Sequence, residues 1–79
     1  MRSELSSSAK VVGVKQSLRA LREGRAAKVF LACDADPALT GRVEELCAGV
    51  PVEHGLTMAQ LGAESGIAVG AAVVTLLNG

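Results

Sequence analysis

Turn-forming residues divide this sequence into short segments that alternate between helical and strand patterns. Four glycines, Gly13, Gly24, Gly49 and Gly66, separate apolar stretches of different periodicity. The order along the chain is helix, short strand, helix, strand, helix, strand, helix, strand, with the first helix over residues 3–9. This alternation predicts an α/β fold in which helices cover both faces of one sheet.

Three of the helices are predicted from apolar residues spaced three and four positions apart. One spans residues 14–23, and the next follows Asp36-Pro37, where the carboxylate caps free amides and proline fits the first turn. The last begins at Thr57 and Gln60, a capping-box pair. The residues expected to face the core are Val14, Leu18 and Leu21 in the first of these and Leu39, Val43 and Leu46 in the second, while the last helix carries Met58 and Leu61.

Strands are predicted over residues 10–12, 29–33, 50–52 and 71–77. The run from Val29 to Cys33 is continuously apolar, which is typical of a strand covered on both faces. Pro51 lacks an amide hydrogen, so the strand that contains it is expected at a sheet edge. Cys33 and Cys47 lie among apolar neighbours and are too few for a disulfide framework or a zinc site, which predicts two buried free thiols.

The composition excludes several classes of protein. A chain of 79 residues builds one domain, here residues 1–79, and its 49% apolar content is too high for a disordered protein. A single phenylalanine cannot form the aromatic platform on which single-stranded nucleic acids stack. Residues 1–8 hold no apolar signal segment, and the longest apolar stretch, residues 67–77, is about half of what a membrane helix needs. A cytoplasmic protein is therefore expected.

Charge is strongly segregated although the net charge is zero. Residues 1–28 hold seven basic and two acidic side chains, which gives +5, while residues 29–79 hold one basic and six acidic, which gives −5. Such segregation suggests a basic face for a polyanion and an acidic remainder. The alternative is an ordinary solvated helix face.

The helix after Gly13 carries the most informative charges. Lys15, Arg19 and Arg22 recur at i, i+4 and i+7 and form a line, here called the basic stripe, roughly 100° around the helix from its apolar side. Gly13 allows a ligand backbone to approach the first amides of the helix. These cations and Gln16 are residue types that bind phosphates and base edges. The pattern alone also fits a solvated face.

Other polar residues offer weaker signals for chemistry. Asp34 and Asp36 form a pair that could hold a metal or exchange protons, although Asp36 fits better as a helix cap. His54 has no serine or cysteine partner at a suggestive spacing. The glycines that begin at Gly62 and recur every four residues are not followed by the lysine of a phosphate-binding loop.

Three stretches together resemble the ribosomal protein L7Ae superfamily of kink-turn RNA-binding proteins, and most closely its small bacterial members of the YbxF and YlxQ type. They are residues 13–19 (GVKQSLR), 32–37 (ACDADP) and 61–72 (LGAESGIAVGAA). The resemblance implies a three-layer α/β/α sandwich with a mixed four-stranded sheet. It also implies binding to RNA that bends sharply at a three-nucleotide bulge followed by sheared G·A pairs.

In that family a helix N-terminus enters the major groove that the kink opens. Here Gly13, Lys15 and Gln16 would face the G·A pairs, with Arg19 following. Asp36 would help to hold an extruded base, and the loop from His54 to Met58 would cover it. The full set of RNA contacts that the resemblance implies is Lys10, Gly13, Val14, Lys15, Gln16, Arg19, Asp36, Gly55, Leu56, Thr57 and Met58.

The favoured hypothesis is thus a monomeric, non-catalytic protein that binds a kink-turn in ribosomal or riboswitch-like RNA, with the ribosome as a candidate location. It needs no cofactor, metal or membrane. A second hypothesis is a protein-interaction scaffold within a ribosomal or ribonucleoprotein assembly. A third is a thiol or metal-dependent enzyme that uses Cys33, Asp34 and Asp36.

Overall fold

The computed structural model describes residues 9–66 and 70–78, and within them it confirms the predicted α/β class. Most of the first predicted helix, residues 3–8, lies outside the described residues, as do residues 67–69 of the third family-like stretch. The elements in chain order are β1 (Lys10–Val12), α1 (Val14–Arg22), β2 (Ala26–Leu31), α2 (Pro37–Glu45), β3 (Val52–Glu53), α3 (Met58–Glu64) and β4 (Val73–Leu77).

The four described strands form one mixed sheet in the order β1-β4-β2-β3, as expected. Strand β4 runs antiparallel to both of its neighbours, with Thr75 opposite Val11 on one side and Val29 on the other. Strand β3 lies parallel to β2 at the edge as predicted, but it spans Val52–Glu53 and not residues 50–52, so Pro51 precedes it. This topology brings the ends of β1, β2 and β3 and the start of β4 to one end of the sheet, here called the interface end.

Helices cover both faces of the sheet and complete the predicted three layers. On one face, α1 and α2 pack over a buried cluster made of Val29, Leu31, Val43, Cys47 and Val73. On the other face, α3 packs over a cluster made of Phe30, Ala32, Leu61, Ala71, Val74 and Leu76. The apolar side of α1 contacts the first cluster as predicted. The residues of these two clusters are therefore aliphatic apart from Phe30 and Cys47.

The prediction that α2 buries three apolar residues is wrong for two of them. Val43 is fully buried, but Leu39 and Leu46 remain 39% and 38% exposed. The helix ends at Glu45, so Leu46 is its C-terminal cap and falls outside the helical repeat, while Cys47 turns into the core instead. Met58, the first residue of α3, is 38% exposed.

The strand predicted over residues 29–33 is shifted towards the N-terminus. It starts at Ala26, because Ala26 and Lys28 already pair with β4 although they do not belong to the apolar run. The register of the pairing shifts between these two residues. It ends at Leu31, and Cys33 lies in the following loop as an exposed thiol. The prediction of a buried Cys33 is therefore wrong, whereas that of a buried Cys47 is confirmed.

One buried hydroxyl in the sheet leads to a stability prediction. Thr75 is fully buried in β4, and among the described residues its Oγ1 has no hydrogen-bond partner. Since an unpaired buried hydroxyl costs free energy and valine has the same shape, Thr75→Val is expected to raise the free energy of unfolding by about 1 kcal/mol. Urea or thermal unfolding measures this change.

Thr40 provides the control, because its hydroxyl donates to the Pro37 carbonyl at the start of α2. Because Thr40→Val removes a hydroxyl that has a partner, it should not raise the free energy of unfolding and should lower it by at most about 1 kcal/mol. A Thr75→Val variant less stable than the parent would contradict the prediction.

Candidate nucleic-acid interface

All three described helices begin at the interface end of the sheet. Gly13, which precedes α1, donates its amide to the Val73 carbonyl at 2.8 Å, so α1 starts directly beside the first residue of β4. The Cys33 amide in the loop before α2 donates to the Leu56 carbonyl in the loop before α3, also at 2.8 Å. The sheet topology thus brings the starts of α1, α2 and α3 together at one end of the molecule.

Gly13 enters α1 in a conformation that only glycine adopts without strain. Its φ is 107° and its ψ is 158°, and its carbonyl accepts the Ser17 amide as the first bond of the helix. Among the described residues, and apart from its two chain neighbours, no heavy atom lies within 4 Å of a Cβ atom built on Gly13. The space beside Gly13 at the start of α1 is therefore open.

The N-terminus of α1 differs from those of the other two helices in lacking a side-chain cap. At α2, the predicted cap is confirmed, since Asp36 Oδ1 accepts the Ala38 amide at 2.9 Å. At α3, the predicted capping box is confirmed, with Thr57 Oγ1 accepting the Gln60 amide at 3.2 Å and the Gln60 side chain accepting the Thr57 amide at 3.0 Å. Among the described helices, only α1 presents first-turn amides with no side chain bound to them.

The basic stripe lies on the exposed side of α1. Lys15, Arg19 and Arg22 are all exposed, and Gln16 is exposed beside them. The first turn contains no acidic residue. Since the helix dipole favours anions at this end, Lys15 does not stabilise its own helix there. A cation beside uncapped amides forms instead a surface that suits an anionic ligand.

Arg19 is held by a neighbouring carboxylate in the free protein. Its Nε lies 3.4 Å from Glu23 Oε2, and Arg25 Nη2 lies 2.8 Å from the other oxygen of Glu23. The hydrogen bond from Arg19, helped by Arg25, lowers the pKa of Glu23. Because the Arg19 side chain is 71% exposed, its ion pair with Glu23 is weak. Arg19 can therefore leave Glu23 and bind another anion.

Two of the predicted RNA-contact residues on this side have other surroundings. Val14 is half-buried and packs against the core cluster under α1, so its backbone rather than its side chain faces the interface end. Lys10 starts β1, and strand alternation places its side chain on the same face as Val12, which packs on the α3 side. The structure therefore does not bring Lys10 onto the basic stripe.

The loop before α3 offers less apolar surface than its sequence suggests. Leu56 is half-buried and packs against the α3-side cluster, while Gly55 is exposed. Met58 has the larger exposed apolar side chain, and Thr57 is engaged in capping. Any base lying against this loop would meet Met58 more readily than Leu56.

Asp34 has a contact that the sequence did not reveal. Its Oδ1 accepts the Met58 amide at 2.8 Å, across 24 residues of chain. The only sequence signal was that Asp34 follows a strand and is not needed to cap α2. The two carboxylates of the Asp34/Asp36 pair thus each accept a backbone amide, at the starts of different helices.

The described residues contain no group of three or more histidine, cysteine, aspartate or glutamate side chains able to hold a metal ion. Burial, with a smaller effect from Glu44, raises the pKa of the Cys47 thiol, which makes that thiol a poor nucleophile. His54 Nε2 lies 3.9 Å from Glu44 Oε1. No helix in residues 9–66 and 70–78 is long and apolar enough to cross a membrane.

Known RNA-binding proteins are similar to this chain in sequence and in structure. An RNA-binding protein of Geobacillus sp. is 46% identical over 70 residues, which cover 86% of this chain and 85% of the relative. The RNA-binding protein YbxF of Geobacillus stearothermophilus is 43% identical over 70 residues, with the same coverage of both chains. A solved structure, the Giardia lamblia 15.5kD RNA binding protein, superposes with a TM-score of 0.83 at 26% identity.

That superposition covers 90% of this chain but 62% of the Giardia protein, so this chain matches somewhat under two thirds of that structure. The model of the ribosomal protein L7Ae/L30e/S12e/Gadd45 family matches residues 2–79, which is nearly the whole sequence. The match spans the helix, strand and loop elements that meet at the interface end. The chain therefore belongs to the ribosomal protein L7Ae/L30e/S12e/Gadd45 family.

Proposed function

We propose that this protein is a non-catalytic RNA-binding protein that recognises kink-turn RNA and stabilises its bent form. In this proposal the N-terminus of α1 enters the major groove where sheared G·A pairs widen it. The deep groove of ordinary A-form RNA is closed to side chains, so a straight duplex offers no equivalent site. The RNA-binding relatives and the family assignment support the RNA partner.

The observation that carries the proposal is the uncapped N-terminus of α1 next to exposed cations. Gly13 leaves the approach open, the first-turn amides have no side-chain cap, and Lys15 lies in the same turn. Together these groups offer hydrogen-bond donors and positive charge to phosphate oxygens and to the acceptor edge of guanine. Gln16 adds a side chain able to bond to several base edges.

Affinity and selectivity have separate physical sources in this proposal. The basic stripe supplies affinity by pairing with phosphates and releasing counterions, which any RNA can satisfy. Selectivity comes from RNA that can adopt the kinked shape at low cost. A protein that binds the kinked form better shifts the RNA population towards it, and no chemical step is required.

The loop residues complete the proposed surface. Asp36 uses Oδ1 as the α2 cap, which leaves its second oxygen available to an extruded base. Met58 and Leu56 would lie against that base, with Gly55 and Thr57 beside them. The protein would act as a monomer on ribosomal or riboswitch-like RNA, since a single chain brings the starts of all three described helices together.

A binding comparison tests the proposal. Gel-shift titrations would use a kink-turn RNA and a twin in which Watson–Crick pairs replace the sheared G·A pairs. We expect the twin to bind at least about tenfold more weakly, because it cannot open the groove at low cost. Equal affinity for both RNAs would reduce the interaction to general polyanion attraction and would overturn the proposal.

A further inference from the structure

Three chain segments are joined at a single residue, Met58, at the interface end. Its amide donates to Asp34 Oδ1 at 2.8 Å, and its carbonyl accepts the Ala71 amide at 3.0 Å. Two residues earlier, the Leu56 carbonyl accepts the Cys33 amide at 2.8 Å. The loop before α3 is thus tied to the segment after β2 and to the segment before β4.

Asp34 is the one side chain among these joining contacts, since the others are backbone to backbone. Asp34 is also exposed, so its carboxylate is not a buried group of the hydrophobic core. The α3 cap does not require it, because Thr57 and Gln60 already form a complete capping box. That box binds the amides of Thr57 and Gln60, whereas Asp34 binds the Met58 amide from another segment, so its contact also fixes where the loop lies.

We infer that Asp34 is a positioning residue for RNA recognition. It fixes the loop of residues 54–58 against the segment of residues 32–36, which contains Asp36, before RNA binds. This inference rests on the proposed function. Asp36 and Met58 are the two groups proposed to lie on either side of an extruded base, and Asp34 connects their segments directly. A loop that is already ordered loses less conformational entropy on binding, so its contact with the base is stronger.

The close approach of Gly70 to Met58 gives a second, independent means of disturbing the same junction. A Cβ atom on Gly70 would lie 3.3 Å from the Met58 carbonyl oxygen and 3.4 Å from its Cβ. Gly70→Ala should therefore displace Met58 slightly without touching Asp34. Asp34→Asn, in contrast, retains an oxygen acceptor for the Met58 amide and removes only the charge.

The test measures binding of the full chain and its variants to a kink-turn RNA and to the same RNA made abasic at the extruded nucleotide. Asp34→Ala should weaken binding to the intact RNA by about tenfold and binding to the abasic RNA by less than about twofold. Asp34→Asn should keep most of the preference for the intact RNA. Gly70→Ala should lose part of the preference for the intact RNA. This variant tests the inference even if Asp34→Ala does not fold.

Hydrogen exchange gives a readout that does not depend on RNA, since the Met58 amide should lose protection in Asp34→Ala but keep it in Asp34→Asn. An equal loss of affinity for both RNAs would indicate general destabilisation and overturn the inference. So would an unchanged preference for the intact RNA in Asp34→Ala. A parent protein that binds the G·A-disrupted twin as tightly as the kink-turn would instead overturn the proposed function, and this inference with it.

Discussion

Replacing Lys15 and Arg19 together by alanine is expected to weaken binding to a kink-turn RNA by about a hundredfold or more. A hydrogen bond to a charged partner contributes about 1.5–3 kcal/mol, and each 1.4 kcal/mol is about tenfold in affinity. Both side chains are exposed, so the double variant should fold with little change in stability. Titration of the RNA at fixed salt measures the effect.

Arg19 has to leave Glu23 in order to bind RNA, and the structure indicates that this exchange costs little. The pair is exposed, with 3.4 Å between Arg19 Nε and Glu23 Oε2. Glu23 also keeps its 2.8 Å contact with Arg25 when Arg19 moves away. The carboxylate is therefore not left unpaired, and the free energy of the new phosphate contact is largely retained.

Salt dependence separates phosphate pairing from other causes of weak binding. Loss of two phosphate contacts should reduce the slope of log affinity against log salt by about 1.5, whereas a shape defect would leave the slope unchanged. Arg25→Ala is the control, because it removes one positive charge beyond the C-terminus of α1, whereas the double variant removes two nearer its N-terminus. Nine residues of helix separate the two ends of α1 by about 14 Å.

The Arg25→Ala variant should bind the kink-turn RNA within about twofold of the parent protein, because the exposed Glu23 carboxylate that it leaves behind is solvated by water. A loss per removed charge as large in Arg25→Ala as in the double variant would mean that the net charge of the surface, and not the basic stripe, determines affinity. Normal affinity in the double variant would place the binding surface elsewhere on the protein.

The parts of the site that depend on local hydrogen bonds were predictable from the sequence. Asp36 accepts an amide two residues ahead, and Thr57 and Gln60 bond across three residues. Such contacts are decided by neighbouring residues, whatever the tertiary fold. The turn glycines follow the same logic, since Gly24 and Gly66 adopt the positive φ values of 71° and 81° that end helices.

The parts that depend on packing were not predictable. Helical spacing gives Leu39 and Leu46 the same periodicity as Val43, but only Val43 reaches the sheet. Which residue of a short helix is buried depends on where the helix ends and which strand lies beneath it. The sequence contains neither fact, and for the same reason it suggested that Cys33 would be buried.

Long-range contacts set the other limit of the sequence interpretation. The bond between Asp34 and Met58 spans 24 residues, so it exists only because the sheet brings the ends of β2 and β3 together. The face of Lys10 depends in the same way on the pairing of β1 with β4. Residue types thus indicated the kind of chemistry at the interface end, and the topology determined which of these residues meet.

Substitution of Gly13 by alanine should affect both folding and RNA binding, and Gly24→Ala separates the two effects. Both glycines have positive φ, 107° and 71°, and in the described part of the chain only their own neighbours in sequence lie within 4 Å of a Cβ atom built on either. The cost to the free protein is therefore backbone strain alone. We expect the free energy of unfolding to fall by about 1–3 kcal/mol for Gly13→Ala and by about 1–2 kcal/mol for Gly24→Ala.

Binding should distinguish the two variants because the glycines lie at opposite ends of α1. The open space over Gly13 is where the RNA would approach the uncapped amides, so a methyl group there should weaken kink-turn binding by at least about tenfold. Gly24 follows the C-terminus of the helix, and Gly24→Ala should bind within about twofold of the parent. Both measurements need a temperature at which each variant is fully folded, as checked by urea unfolding.

The comparison is informative because strain and RNA contact give different patterns across the two variants. If strain alone mattered, affinity would follow stability, and both variants would bind RNA equally well once folded. If the N-terminus of α1 enters the groove, Gly13→Ala loses affinity while fully folded, and Gly24→Ala does not. Normal RNA binding by folded Gly13→Ala would show that the open space above this glycine is not where the RNA lies, and the proposed orientation of the helix would have to be abandoned.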